Sequence, residues 1–162
     1  MKTAADEATT LASSDLGSLY EDYWPSLLRT AWMMTGSKDE AEDIVHDAFV
    51  RLASRPHLAP EHPLAYLRQI VVNQVRDRRR RAVVQLRYRQ SPSPPVLGAD
   101  DGLVWQLFQK LPLRQRQVLV LRYHDNLTLA EISELLRWPL GTTKSLAHRG
   151  LERLRKEMGA DD

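Results

Sequence analysis

Between Asp15 and Met34 the apolar residues Leu16, Leu19, Tyr20, Tyr23, Leu27, Ala31 and Met34 recur at steps of three and four. That period places them on one stripe of an amphipathic helix. Gly36 ends it, and Ser37 with Glu40 forms the capping-box pair that opens a second helix. The buried stripe of this second helix is Ala41, Ile44, Val45, Ala48 and Leu52, and Pro56 closes it. The stretch from Pro56 to Pro63, PHLAPEHP, is too rich in proline to be anything but a loop. Beyond it Leu64, Leu67, Val71 and Val75 mark a third helix that runs into the basic run Arg76 to Arg81.

Residues 90–102, QSPSPPVLGADDG, have no periodic apolar pattern and the composition of a linker. A short helix follows around Leu103 to Lys110, and another from about Pro112 to His124, with Pro112 in its first turn. Thr128 and Glu131 make a second capping box, opening a helix that buries Leu129, Ile132 and Leu135 or Leu136. A five-residue, glycine-containing connection, Arg137 to Gly141, leads to a last helix with the stripe Ala147, Leu151, Leu154 and Met158. No β alternation competes. The pattern predicts an all-α protein of two small helical domains, residues 1–89 and 103–162, joined by a flexible linker over 90–102.

Composition narrows the chemistry. There are no cysteines, so disulfides and thiolate zinc sites are excluded, and the five histidines are too scattered for an all-histidine site. We therefore expect no metal and no cofactor. No apolar run approaches the roughly 20 residues of a membrane span, and the N-terminal residues lack the basic-then-apolar order of a signal peptide, so the expected location is cytoplasmic, without membrane insertion. Charge is segregated along the chain: residues 1–62 hold 5 Lys/Arg against 11 Asp/Glu, residues 63–90 hold 8 against 1, and residues 113–158 hold 9 against 5. Basic helices favour polyanions, whose condensed counterions they release. The acidic block suits a basic protein surface instead.

Two short helices joined by a tight turn, the second one basic, form a helix-turn-helix, which lays its second helix in the major groove. With Ala147, Leu151 and Leu154 inward, Lys144, Ser145, His148 and Arg149 face out, and Thr142 stands near the helix start. Lys and Arg can read guanine, His148 can donate to a base or phosphate, and Thr142 and Ser145 suit phosphate oxygens. An enzyme is not expected: the acids from Asp39 to Asp47 have no partner base, and no glycine-rich phosphate loop is present. A helix-turn-helix regulator that works without polymerase accounts for residues 111–158, but it leaves the acidic second helix and the third helix without a task.

The stretch LPLRQRQVLVLRYHDNLTLAEISELLRWPLGTTKSLAHRGLERLR, Leu111 to Arg155, resembles the promoter-binding C-terminal domain of extracytoplasmic-function sigma factors. AEDIVHDAFVRL, Ala41 to Leu52, and AYLRQIVVNQVRDRRRR, Ala65 to Arg81, resemble their N-terminal domain. The resemblance implies core RNA polymerase, promoter DNA and an anti-sigma factor as partners. It assigns Asp43, His46, Asp47, Val50 and Arg51, opposite the apolar stripe of the second helix, to the polymerase's clamp helices. It assigns Gln69, Asn73, Arg76 and Arg80 to the melted upstream promoter element, with Tyr66 as an aromatic wedge and His57 and His62 in the loop that borders the pocket for an extruded base. Extrusion costs a few kcal/mol, which the pocket and backbone contacts must offset. Thr142, Lys144, Ser145, His148 and Arg149 fall to the distal element, read as duplex.

The chain departs from the family pattern in places. Tyr66 stands where a Trp is frequent, keeping an aromatic face. Leu146 stands where an arginine is frequent, which offers an apolar contact for a thymine methyl in place of a guanine or phosphate contact. Thr143 and Ala147 shrink the inward face, so looser packing is expected there. The whole reading expects unlike electrostatic surfaces held apart by the linker.

Overall fold

A computed structural model describes residues 4–54, 62–84 and 99–159. Among those residues every regular element is a helix: α1 (Ala4–Thr35), α2 (Lys38–Ser54), α3 (Pro63–Val84), α4 (Ala99–Gln109), α5 (Leu113–Tyr123), α6 (Leu129–Leu136) and α7 (Leu140–Gly159). α1 begins well before the Asp15 expected from periodicity. The early turns are rich in alanine, which favours helix without marking a face. His57 and residues 85–98 of the expected loop and linker lie outside the described residues, while residues 99–102, expected as linker, open α4.

Local chemistry sets the helix ends. Gly36, with φ of 75°, takes the left-handed position after α1, and its N–H donates to the Trp32 carbonyl at 2.8 Å. Ser37 then caps α2 by accepting from the Glu40 N–H at 3.3 Å. At α6 the capping box is complete: Thr128 Oγ1 accepts from the Glu131 N–H at 3.1 Å, and Glu131 Oε2 accepts from the Thr128 N–H at 2.7 Å.

α1, α2 and α3 pack as a three-helix unit around Leu27, Met34, Ile44, Val45, Leu67 and Val71. The whole expected stripe of α2 is buried, and Phe49 joins it. α5, α6 and α7 enclose Leu119, Leu121, Ile132, Leu136 and Leu146. At Gly150 a Cβ would lie 2.8 Å from Leu119 Cδ1, so the missing side chain is what lets α7 lie so close to α5.

Three expectations for this second unit are corrected. The turn between α6 and α7 is Arg137-Trp138-Pro139; the left-handed residue is Arg137, φ 55°, and Gly141 lies inside α7. Met158 is 63% exposed and not part of the stripe. Thr143 does not loosen the domain: it is fully buried, and its hydroxyl donates to the Pro139 carbonyl at 3.3 Å.

The two units are not held apart. α1 packs against α4 and α5, and α3 meets α6. Polar groups bind this junction. The Arg116 guanidinium donates to the carbonyls of Phe108, Leu111 and Gln109 at 3.0, 2.9 and 3.3 Å, and across the junction to Met34 at 2.6 Å. Gln109 Nε2 donates to the Met33 carbonyl at 2.8 Å. These carbonyls belong to the last turns of α1 and α4 and to the residues just after, where a helix leaves acceptors unused and concentrates partial negative charge. A buried cation with no carboxylate partner among the described residues is thereby satisfied. Burial still lowers the Arg116 pKa to about 10, with the charge of Arg79 adding to the effect.

Candidate nucleic-acid interface

α2 turns Asp43, His46, Val50 and Arg51 to solvent, with Asp47 half-buried beside them. The acids on this face also brace α3. Asp43 lies 4.0 Å from Arg78 Nη1, and Asp47 accepts from Gln74 Nε2 and pairs with Arg51 at 3.4 Å. Desolvation raises the pKa of the half-buried Glu40 against the opposing charges of Arg78 and Arg79, with Asp43 adding to the rise.

α3 carries Gln69, Asn73, Arg76 and Arg80 along one side. Asn73, Arg79, Arg80 and Arg81 are exposed, so the arginine-rich end is open to solvent. Gln69 and Arg76 are engaged. Gln69 Nε2 donates to Asn73 Oδ1 at 3.2 Å and to the Leu135 carbonyl at 2.9 Å, while Arg76 Nη1 donates to the Leu136 carbonyl at 3.1 Å. His62 is exposed at the start of α3 and Tyr66 is half-buried one turn later.

On α7 the side chains sort cleanly. Lys144, Ser145, His148 and Arg149 are exposed, Thr142 is half-exposed, and Thr143, Leu146, Ala147 and Gly150 are buried. Leu146, only 4% exposed, is a core residue and not available to a thymine methyl, which corrects that expectation. His148 Nε2 lies 3.4 Å from Glu152 Oε1, and Arg149 Nε donates back to the Ser145 carbonyl at 3.4 Å. The exposed set sits on the first turns of a long helix, whose N-terminal partial positive charge adds to that of Lys144 and Arg149. Such a face offers a cation and short hydroxyl donors to phosphates, and longer forked donors to base edges.

Sequence reasoning missed three residues of this region. Asp125 has a side chain 1% exposed; it accepts from the Thr30 hydroxyl at 3.1 Å and pairs with Arg68 Nε at 3.3 Å. Its carboxyl is pushed above the usual range by burial, a rise opposed by Arg68, His124 and the Thr30 hydrogen bond. Trp138 lies under two guanidinium groups, Arg114 at 4.5 Å and Arg76 at 5.4 Å from its ring centre. Arg116 is the third. The signal for it was present: it stands three residues after Leu113 and four before Val120, on the core register of α5.

Residues 19–83 match the family Sigma-70 region 2, and residues 107–156 match Sigma-70, region 4. The chain is 31% identical to the ECF RNA polymerase sigma factor SigW of Bacillus subtilis, covering 91% of this chain and 89% of the relative. It is also 31% identical to the RNA polymerase sigma-E factor of Streptomyces coelicolor, covering 85% and 82%. In fold it resembles the sigma factor RpoE solved with the anti-sigma factor NepR from Bartonella quintana, with a TM-score of 0.75 at 21% identity over 91% of this chain and 99% of that one.

Proposed function

Because this chain belongs to the sigma-70 family, as an RNA polymerase sigma factor of the extracytoplasmic-function type that serves promoter recognition and transcription initiation, we propose a division of labour among its three faces. The α2 face seats the chain on core RNA polymerase. Asn73, Gln69, Arg76 and Arg80 of α3, bordered by His62 and Tyr66 and by the loop that holds His57, take the melted upstream element. Thr142, Lys144, Ser145, His148 and Arg149 of α7 hold the distal element as duplex.

The observation that carries this reading is the sorting of side chains on α7 from Thr142 to Gly150, where Thr142, Lys144, Ser145, His148 and Arg149, which can bond to a phosphate or base edge, face out and Thr143, Leu146, Ala147 and Gly150 between them are core. An exposed arginine end on α3 adds a second, separate cationic face, suited to backbone contacts on an unpaired strand. An anti-sigma factor, the kind of partner with which RpoE from Bartonella quintana was solved, would compete for these faces.

The decisive experiment is run-off transcription with purified core polymerase on genomic fragments. Defined start sites that depend on the chain are expected. A chain that neither joins core nor starts defined transcripts refutes the assignment.

The α2 face has its own test. Val50 is an exposed apolar side chain, 46% accessible, whereas the contacts that brace α3 are made by Asp43 to Arg78 and by Asp47 to Gln74. Replacing Asp43 or Asp47 would disturb α3 as well, so Val50→Lys is the cleaner probe. Against a basic partner surface it should weaken core binding roughly tenfold, by placing a cation where an apolar contact is desolvated. Affinity measured by fluorescence anisotropy should fall while the thermal midpoint stays put. Unchanged core affinity would remove α2 from the polymerase interface.

A further inference from the structure

The turn that leads into α7 departs from local preference at its left-handed position. α6 ends in a Schellman turn, in which the Trp138 N–H donates to the Ser133 carbonyl at 3.1 Å and the Arg137 N–H to the Glu134 carbonyl at 3.3 Å. Such a turn needs a left-handed residue just after the helix, where glycine is the default and asparagine the usual substitute. Here that residue is Arg137, with φ of 55° and ψ of 42°. Among the described residues the other non-glycine with positive φ is Asn126, whose short amide suits the conformation as a long side chain does not. Gly141, by contrast, stands exposed in the first turn of α7, where an added Cβ would meet nothing within 4 Å, so the fold makes no use of its missing side chain.

Neighbouring positions that break local rules without an internal gain mark a place where the chain meets something outside itself. Arg137 is exposed, and its side chain makes no hydrogen bond or ion pair among the described residues. The turn that carries it is braced. The Trp138 ring takes the guanidinium groups of Arg114 and Arg76 at 4.5 and 5.4 Å, Ser133 Oγ donates to the Trp138 carbonyl, and Pro139 fixes the backbone at the exit. A basic side chain also suits the C-terminal end of a helix, but one in the last turn of α6 would serve that purpose without a left-handed backbone. We propose that Arg137 is a backbone clamp of the duplex reader: it bonds a phosphate beside the groove that α7 enters, and Gly141 leaves the room in which that strand comes close. This inference rests on the assignment of α7 to duplex DNA given above.

Because a phosphate contact is indifferent to sequence, the full chain and a short DNA duplex of mixed sequence provide the test. Arg137→Gly removes the side chain and gives the turn its default residue. The thermal midpoint should hold or rise by a few degrees as the left-handed position is relieved, while duplex affinity falls by about fivefold at low salt. The slope of log affinity against log salt should become shallower by about 1. Arg137→Asn, which also accepts the left-handed backbone, should show the same loss. Arg137→Lys keeps the charge and should restore the slope.

A glycine variant that keeps duplex affinity within about twofold, with an unchanged slope, overturns the inference. So does a thermal midpoint that falls by more than about 4 °C, since Arg137 would then serve the stability of its own turn. Failure of the α7 assignment has a different signature. In that case Lys144→Ala combined with Arg149→Ala also leaves duplex affinity intact, and the clamp falls with it. A clear loss in that double variant beside an unchanged Arg137→Gly strikes the clamp alone.

Discussion

Arg116→Leu should cost about 4 kcal/mol of stability, lowering the thermal midpoint by about 12 °C in a chain of this length. Arg116 is 7% exposed and, among the described residues, makes no ion pair; its guanidinium N–H groups donate to four main-chain carbonyls. Leucine supplies comparable apolar bulk, so the loss does not come from a cavity. It comes from stranding the acceptors of Met34, Phe108, Gln109 and Leu111 in the core, where each unmet carbonyl costs roughly 1–3 kcal/mol. Some relaxation by the helix ends keeps the total below the simple sum. Arg116→Lys should recover less than half, because a compact ammonium has fewer donors and cannot fork toward carbonyls on two sides. A loss below about 1 kcal/mol for the leucine variant, measured by denaturant unfolding, would mean that these carbonyls find other partners and that Arg116 does not hold the junction.

That same residue marks where sequence reading stops. The stripe of α2 was legible because an amphipathic helix repeats its core position every three or four residues, and Ala41, Ile44, Val45, Ala48 and Leu52 keep that step. The α6 capping box was legible because Thr128 and Glu131 carry the chemistry at fixed spacing. The turn was misplaced because Gly141 invites a left-handed conformation, while the chain puts it on Arg137 and ends the helix with Pro139. Along α7 the burial runs through Thr143, Leu146, Ala147 and Gly150 and then fades. α7 spans 20 residues against 11 for α5, so its last turns extend past their partner and leave Met158 in water.

The junction between the units was not legible at all. Thr30, Arg68 and Asp125 are far apart in the chain, and each reads as an ordinary surface residue. Only the fold brings them together, and only together do they survive burial, since a carboxylate with 1% exposed side chain needs both the cation and the hydroxyl. The charge blocks suggested unlike surfaces held apart by the linker. Instead Glu131 and Glu134 of α6 line one cavity with Arg68 of α3, and Arg68 pairs with Asp125, so opposite charges distant in the chain meet in the fold.

For the α7 face, Lys144→Ala combined with Arg149→Ala should weaken binding to a promoter duplex containing the distal element by about a hundredfold at low salt. Two cationic contacts at roughly 1–2 kcal/mol each give that factor. The dependence on salt distinguishes loss of contact from loss of fold. If both side chains reach phosphates, the slope of log affinity against log salt becomes shallower by about 2, because two fewer counterions are released. If Arg149 instead forks onto a base, the slope changes by about 1 and the preference among sequences relaxes at one position. Neither side chain is part of the core: both are exposed, and among the described residues Arg149 bonds only to the Ser145 carbonyl of its own helix, so the thermal midpoint should hold within a degree or two. A double variant that keeps duplex affinity within about threefold, with an unchanged slope, would show that α7 does not enter the groove by this face. The first turns of the helix, with Thr142 and Ser145, would then lose their place in recognition as well.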